Sequence, residues 1–229
     1  MSPSVFVVEA LNESGSVVAT GSGVAVAPSK VVTNKHVIRE GVVWRVRHGS
    51  KTWPATLTHL DPDHDLCRLK AEGLKAPPVT VRASSTLAVG ERVYTIGAPE
   101  GLELSLSEGL ISGLREFEQV RLIQTSAAIS PGSSGGGLFD NQGRLVGITT
   151  FFLKEGQNLN FALPGEWVRE LMQERQMPHS IVTAPSAGEE ESNSPIQCIS
   201  EGIYDADGKI CIGPGPEKYD SISPVDDDG

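Results

Sequence analysis

Residues 129–137 read Ile129-Ser130-Pro131-Gly132-Ser133-Ser134-Gly135-Gly136-Gly137, two serines walled in by glycines and a proline. Ordered glycine costs conformational entropy, so such a cluster marks a backbone that approaches something closely or adopts torsions other residues avoid. A flexible linker has the same composition, but the flanks argue against one. Gln124-Thr125-Ser126-Ala127-Ala128-Ile129 leads in and Leu138-Phe139 leads out, so the cluster joins two apolar, strand-like runs and reads as an ordered turn.

Working outward, short strand candidates separated by turn residues fill the first 165 residues: Val5–Val8, Gly23–Val26, Val31–Val32, Val42–Arg47, Ala55–His59, Leu66–Leu69, Val79–Val81, Val93–Ile96, Leu104–Ser107, Val120–Gln124, Leu145–Phe152 and Leu159–Leu163. About a dozen strands with no long helix argue for an antiparallel all-β architecture, a sandwich or a barrel. Asn141-Gln142-Gly143 is a hairpin turn, and Ala76-Pro77-Pro78 falls mid-series, where it suits a connection between two lobes of six strands each. Beyond Pro164-Gly165, Trp167, Val168, Leu171 and Met172 recur at helical spacing and predict one closing helix over Glu166–Gln176. From Pro178 the composition turns to Ala, Pro, Ser, Gly and Glu with no apolar period: a linker, then a short hairpin around Gln197–Ile212, then an acidic end.

The chain has 229 residues, 38% hydrophobic and 21% charged, enough to bury a full core as one large domain or two small lobes. No apolar run approaches the ~20 residues a membrane span needs. Met1-Ser2-Pro3-Ser4-Val5-Phe6 lacks the regions of a secretory leader, so the chain as it stands is expected to carry no export signal, and to be extracytoplasmic if a leader has been removed. The net charge of −10 is uneven, since eleven acids against Lys209 and Lys218 put −9 beyond Met177 and leave −1 on the body. With no basic stripe, nucleic acid is not an expected partner. Three cysteines make no disulfide framework. Cys67 sits in the apolar run Leu66-Cys67-Arg68-Leu69 and reads as a small buried residue. Cys198 and Cys211 face each other if their hairpin loop has about six residues; an Asp207-Gly208 turn would instead put Cys211 opposite Tyr204 and leave both thiols free.

Chemically, Gly132-Ser133-Ser134-Gly135-Gly136 is a Gly-x-Ser-Gly-Gly turn. A serine hydroxyl is a poor nucleophile without a neighbouring base, and the oxyanion formed by its attack needs backbone N–H donors not already used in a sheet. Glycines supply such donors. Val31-Val32-Thr33-Asn34-Lys35-His36-Val37 and Asp61-Pro62-Asp63-His64-Asp65-Leu66 can provide base and orienting carboxylate, giving the chain order His, Asp, Ser.

At these residues the sequence resembles the chymotrypsin-fold serine proteases, and within them the HtrA branch. The matching blocks are Ser22-Gly23, Thr33-Asn34-Lys35-His36-Val37, Asp65-Leu66, Ile96-Gly97-Ala98-Pro99-Glu100-Gly101, Ser107-Glu108-Gly109-Leu110-Ile111-Ser112, Gln124-Thr125-Ser126-Ala127-Ala128-Ile129, Gly132–Gly136 and Asn160-Phe161-Ala162-Leu163-Pro164. The resemblance implies an all-β fold of two packed six-stranded antiparallel barrels closed by one helix. Residues 1–177 would form the protease domain, with barrel one about 1–76, barrel two about 82–165, the helix at 166–176, and 178–229 as linker and acidic tail. It implies Ser134 as nucleophile, His36 as general base and acid, Asp65 as the carboxylate that holds the imidazole, and the N–H groups of Gly132 and Ser134 as oxyanion hole. Ala128, Ile129 and Asn160 would line an uncharged primary pocket. Neither metal nor cofactor is implied, and the partner is a polypeptide substrate in unfolded or extended form.

His48, His59, His64 and His179 read as surface or capping residues, and Asp61 and Asp63 as turn residues. Ser133 stands where digestive proteases carry an aspartate, and no Arg-Ile-Val-Gly-Gly start is present, so zymogen activation of that kind is not expected. Arg68 interrupts a run that is apolar in the family, which leaves the course of that strand open. The 52 residues after Met177 are too few and too polar for a PDZ domain, and no aromatic N-terminal extension is present, so a monomer is expected. Two rival readings stand beside the protease. An α/β-hydrolase esterase also has a Gly-x-Ser-x-Gly turn but needs the order Ser, Asp, His and alternating helices. A silent protease-fold binding or chaperone module would carry the fold without the chemistry.

Overall fold

Seven successive residues, Val5–Leu11, form strand β1, and every one is buried. Side chains alternate between the two faces of a strand, so a strand buried throughout has a core on each side. Val5 and Val7 pack with Leu122, Phe139, Leu145 and Ile148 from the second half of the chain. Phe6 and Val8 face the other way, onto Val31, Val46 and Leu69. This strand is the wall between the interior of one barrel and the seam joining it to the next.

The computed structural model describes residues 3–61, 64–99, 104–117, 120–152 and 159–172. With β1, strands β2 (Val17–Ala27), β3 (Lys30–Asn34), β4 (Val43–His48), β5 (Lys51–Asp61) and β6 (Leu66–Ala71) close a barrel in the order β1-β2-β3-β6-β5-β4. Strands β7 (Arg92–Gly97), β8 (Ser105–Phe117), β9 (Val120–Thr125), β10 (Gly137–Asp140), β11 (Leu145–Phe152) and β12 (Asn160–Pro164) close another in the order β10-β11-β12-β9-β8-β7. Every pairing between these strands is antiparallel, which is the architecture the resemblance implies. Closure leaves no unpaired sheet edge. Val93, Ile111, Ile123, Leu138, Val146 and Ala162 fill the second barrel.

Three elements differ from expectation. Val79–Val81 is not a strand: Val81 makes an isolated bridge to Leu145, and the Val79 amide donates to the Ala25 carbonyl at 3.0 Å. The segment crosses from one barrel to the other, and its β-branched residues pack against the seam. The twelfth strand is instead β10, which pairs through Gly137–Asp140 with β7 and through its first three residues with β11. Helix α2 covers Trp167–Glu170, shorter than the expected Glu166–Gln176; Leu171 and Met172 form a turn, and 173–176 lie outside the described residues.

Arg68 does not interrupt β6. It is buried, with Nη1 donating to the Leu171 carbonyl at 2.6 Å and Nε to Thr58 Oγ1 at 3.1 Å. A bulge between Leu57 and His59 in β5 sits across from it. A buried guanidinium is tolerated where its donors find acceptors, and here it fastens the end of α2 to the first barrel. The hairpin at Asn141-Gln142-Gly143 is closed by Asp140, whose Oδ1 accepts from the amides of Gln142 and Arg144. Asp63, His179, Cys198, Cys211 and the hairpin expected around Gln197–Ile212 lie outside the described residues. No described helix is long and apolar enough to cross a membrane.

Candidate active site

His36 stands on a one-turn helix, α1 (Lys35–Ile38), that follows β3 directly. Asp65 precedes β6, the neighbour of β3, so register alone brings the two together: Asn34 pairs with Leu66. Asp65 then holds the whole segment. Its carbonyl accepts from the Lys35 amide at 3.0 Å and from Asn34 Nδ2 at 3.0 Å. Its Oδ1 accepts from the His36 amide at 3.0 Å, and its Oδ2 lies 2.7 Å from His36 Nδ1. To do this Asp65 adopts φ 50, a left-handed conformation that costs an L residue about 1–2 kcal/mol and is best tolerated by Asn and Asp. The Asp65 side chain has no exposure whereas that of His36 keeps 22%, so the carboxylate acts on the ring from behind and the ring still reaches solvent.

Cys67, next but one along β6, donates weakly to the Asn34 carbonyl at 3.7 Å. Burial, and secondly the Asp65 carboxylate, push its thiol well above the ordinary value of 9.0. It stays a protonated packing residue, as its apolar run implied.

A positive φ favours glycine at two points of the 129–137 turn. Gly132 has φ 88 and Gly135 φ 82, and a Cβ on Gly135 would lie 2.1 Å from the Ser22 carbonyl oxygen. The peptide groups between them are tied down individually. The Ser133 amide donates to Ser130 O at 2.9 Å, Gly135 N to Thr149 O at 2.8 Å, and Gly136 N to Ser133 O at 2.9 Å. Among the described residues, the amides of Gly132 and Ser134 donate to nothing. These two N–H groups are therefore available to a ligand.

Ser134 is seated by its carbonyl, which accepts from the Ser22 amide of β2 at 2.7 Å. A Cβ on neighbouring Gly21 would touch both Val37, the residue after His36, and the Ser134 carbonyl. The Ser134 backbone thus sits across β2 from the helix that carries His36. Its hydroxyl donates to the Thr150 carbonyl at 2.8 Å, and no hydrogen bond joins it to His36.

Of the expected pocket residues, Ile129 and Asn160 are buried and Ala128 is exposed, its carbonyl accepting from Thr95 Oγ1 at 3.0 Å. Asn160 pairs with Phe152 of β11 on one side and Thr125 of β9 on the other. Asp61 behaves as a turn residue, bonding the His64 amide and ring. Residues that sequence reasoning left without a role are Thr149 and Thr150 of β11 and Ser22 of β2. Thr149 Oγ1 donates to the Ser133 carbonyl at 2.6 Å, and Ser22 Oγ to the Gly132 carbonyl at 2.8 Å. Ser22 was visible only as part of a matching block; nothing local marks a hydroxyl that reaches across the seam.

Two closed barrels with a His-Asp pair on one and a glycine-walled serine turn on the other define the trypsin-like class of chymotrypsin-fold proteins. The trypsin-like peptidase domain family matches residues 21–148, and the chain belongs to that family, on its HtrA-like side. Protease Do-like 1 of Arabidopsis thaliana chloroplasts is 42% identical over 131 residues, covering 52% of this chain and 30% of that protein. A probable periplasmic serine endoprotease, DegP-like, from Ectopseudomonas mendocina is 38% identical over 156 residues, covering 64% and 33%. The solved HtrA-type protease AlgW with tripeptide superposes with a TM-score of 0.68 at 31% identity, covering 75% of this chain and 60% of that one. The chain spans about a third of the length of the curated relatives it matches.

Proposed function

We propose that the chain is a serine endopeptidase that hydrolyses peptide bonds through an acyl-enzyme on Ser134. The observation that carries the reading is the pairing of an oriented base with unspent donors: Asp65 grips His36 at ring and backbone, while Gly132 and Ser134 keep free N–H groups beside the hydroxyl. Asp65 at Nδ1 leaves Nε2 of the neutral ring as an acceptor. That nitrogen takes the Ser134 proton as Oγ attacks the scissile carbonyl carbon. Negative charge then gathers on the carbonyl oxygen, where the Gly132 and Ser134 amides meet it, each worth roughly 3–4 kcal/mol in the transition state. The imidazolium passes its proton to the leaving amine, and water, activated by the same nitrogen, releases the acyl group. The substrate is a polypeptide in extended form, cleaved after uncharged side chains.

A silent protease-fold binding module is favoured by one observation, the Ser134 hydroxyl turned to Thr150 rather than to His36. Treatment with a serine-reactive phosphonate, followed by peptide mapping and a casein digest, separates the two. The protease reading expects one adduct on Ser134 and casein cleavage that disappears in Ser134→Ala but survives in Ser133→Ala. An unmodified Ser134 with no digestion would establish the silent module.

A further inference from the structure

We infer that Ser22, on the other barrel, is a positioning residue that steadies one of the two oxyanion-hole donors, the Gly132 N–H. The inference rests on the reading of Ser134 as nucleophile. Ser22 is fully buried and makes a hydrogen bond at each of its polar groups. Its amide donates to Ser134 O at 2.7 Å, its carbonyl accepts from Thr33 Oγ1 at 2.6 Å, and its Oγ accepts from the Ala98 amide at 2.8 Å. A hydroxyl has a single proton. An N–H can only donate, so the Ser22 proton is free to go to the Gly132 carbonyl, 2.8 Å away.

The consequence follows from peptide planarity. In a trans peptide the C=O and the following N–H point in opposite directions, so holding one aims the other. The Ser133 carbonyl is held by Gly136 N and Thr149 Oγ1, which aims the Ser134 N–H away from them. The Gly132–Ser133 peptide is held at both ends, its oxygen by Ser22 and its N–H by Ser130 O. The remaining donor, Gly132 N–H, is joined to that clamped peptide through the torsions of Gly132 itself, at φ 88; since no Cβ holds those torsions, the bond from Ser22 to the Gly132 carbonyl is what keeps them. Without Ser22 the Gly132 carbonyl has no partner, and the neighbouring peptide can turn to find one. Because Ser22 belongs to β2 and Ala98 follows β7, the hydroxyl also makes the donor geometry depend on how the two barrels dock.

The experiment compares the full chain with Ser22→Ala on an unstructured peptide, reading kcat and KM separately at a temperature where near-UV dichroism shows both folded. Ser84→Ala is the control, since Ser84 is buried and bonds Glu166 at 2.6 Å, away from the turn. A donor aimed wrongly removes stabilisation made only in the transition state, so Ser22→Ala is expected to lower kcat about tenfold or more with KM within about twofold. Ser84→Ala should lose thermal stability and keep its kcat. A kcat for Ser22→Ala within twofold of the parent, or a fall shared by Ser84→Ala, overturns the role. Should the alanine variant not fold, Ser22→Cys, similar in size but a weak donor, is read by the same criteria. Absence of peptide cleavage and of Ser134 phosphonylation in the parent chain would remove the protease reading, and this inference with it; an active parent with an unaffected Ser22 variant removes this inference alone.

Discussion

Asp65 holds His36 at two points at once, Oδ1 on the backbone amide and Oδ2 on the ring nitrogen. One carboxylate therefore sets both where the helix α1 begins and how the imidazole lies. In Asp65→Asn one of these two acceptors becomes an NH2 donor facing another N–H, and the ring loses either its tautomer or its seat. The expected outcome is a fall in kcat of about 10⁴-fold, as for the same change in other Ser-His-Asp triads, with an unchanged circular dichroism spectrum. A fall of less than tenfold would show that Asp65 is not the carboxylate that orients the base.

Specificity should follow the absence of charge at Ala128, Ile129 and Asn160. A buried lysine or arginine of the substrate would lack a counter-charge there, at a cost of several kcal/mol. Digestion of a peptide library should show cleavage after small or medium uncharged side chains, and not after large aromatics, since Asn160 occupies space a glycine would leave open. Preferred cleavage after Lys or Arg would refute the pocket assignment.

Acid should act on the second barrel through Asp140. Burial alone would raise its pKa, but the Arg144 guanidinium and the amides of Arg144 and Gln142 together hold it below the ordinary 3.8. Glu91, hydrogen-bonded by Arg82, is likewise held below 4.5. A carboxylate whose folded pKa is depressed contributes stability that is complete above its unfolded pKa and is lost as pH falls through the folded one. Asp140→Asn should therefore lower stability by about 1–3 kcal/mol at pH 7, and the gap to the parent chain should close as pH drops below about 4. Thermal midpoints from pH 2 to 7 test this; a gap that is constant with pH would show that the carboxylate's charge is not what stabilises.

Ending the chain at Met177 should leave hydrolysis and stability nearly unchanged. Every residue assigned a catalytic, oxyanion or pocket role lies before Pro164, and the acidic residues beyond Met177 bring few large apolar side chains with which to bury surface. The shortened and full chains are compared for thermal midpoint and for rate on one peptide. A midpoint lower by more than ~5 °C, about 1–2 kcal/mol for a domain of this size, or a tenfold slower rate, would show the tail to be structural or regulatory.

The chain's local chemistry made its class legible. Short strand-like runs between turn residues announced two all-β lobes, and the blocks around His36, Asp65 and Ser134 announced the protease family, because each depends on neighbours a few positions away. Where a short run's role depends on distant partners, composition misled. Val79–Val81 has the make-up of a strand but spans the seam, and β10 follows a run of three glycines of which only Gly137 is strand, a boundary that the pairing with β7 and β11 decides. Arg68 looked like an interruption until the Leu171 carbonyl, 103 residues away, supplied its acceptor. The direction of the Ser134 hydroxyl and the left-handed turn at Asp65 were settled only by the packing within each barrel, and the clamp of Ser22 on Gly132, 110 residues on, only by the docking of the two. The physical reason is that a hydrogen bond is directional and short: sequence names the donors and acceptors, but only packing brings them within 3 Å and aims them.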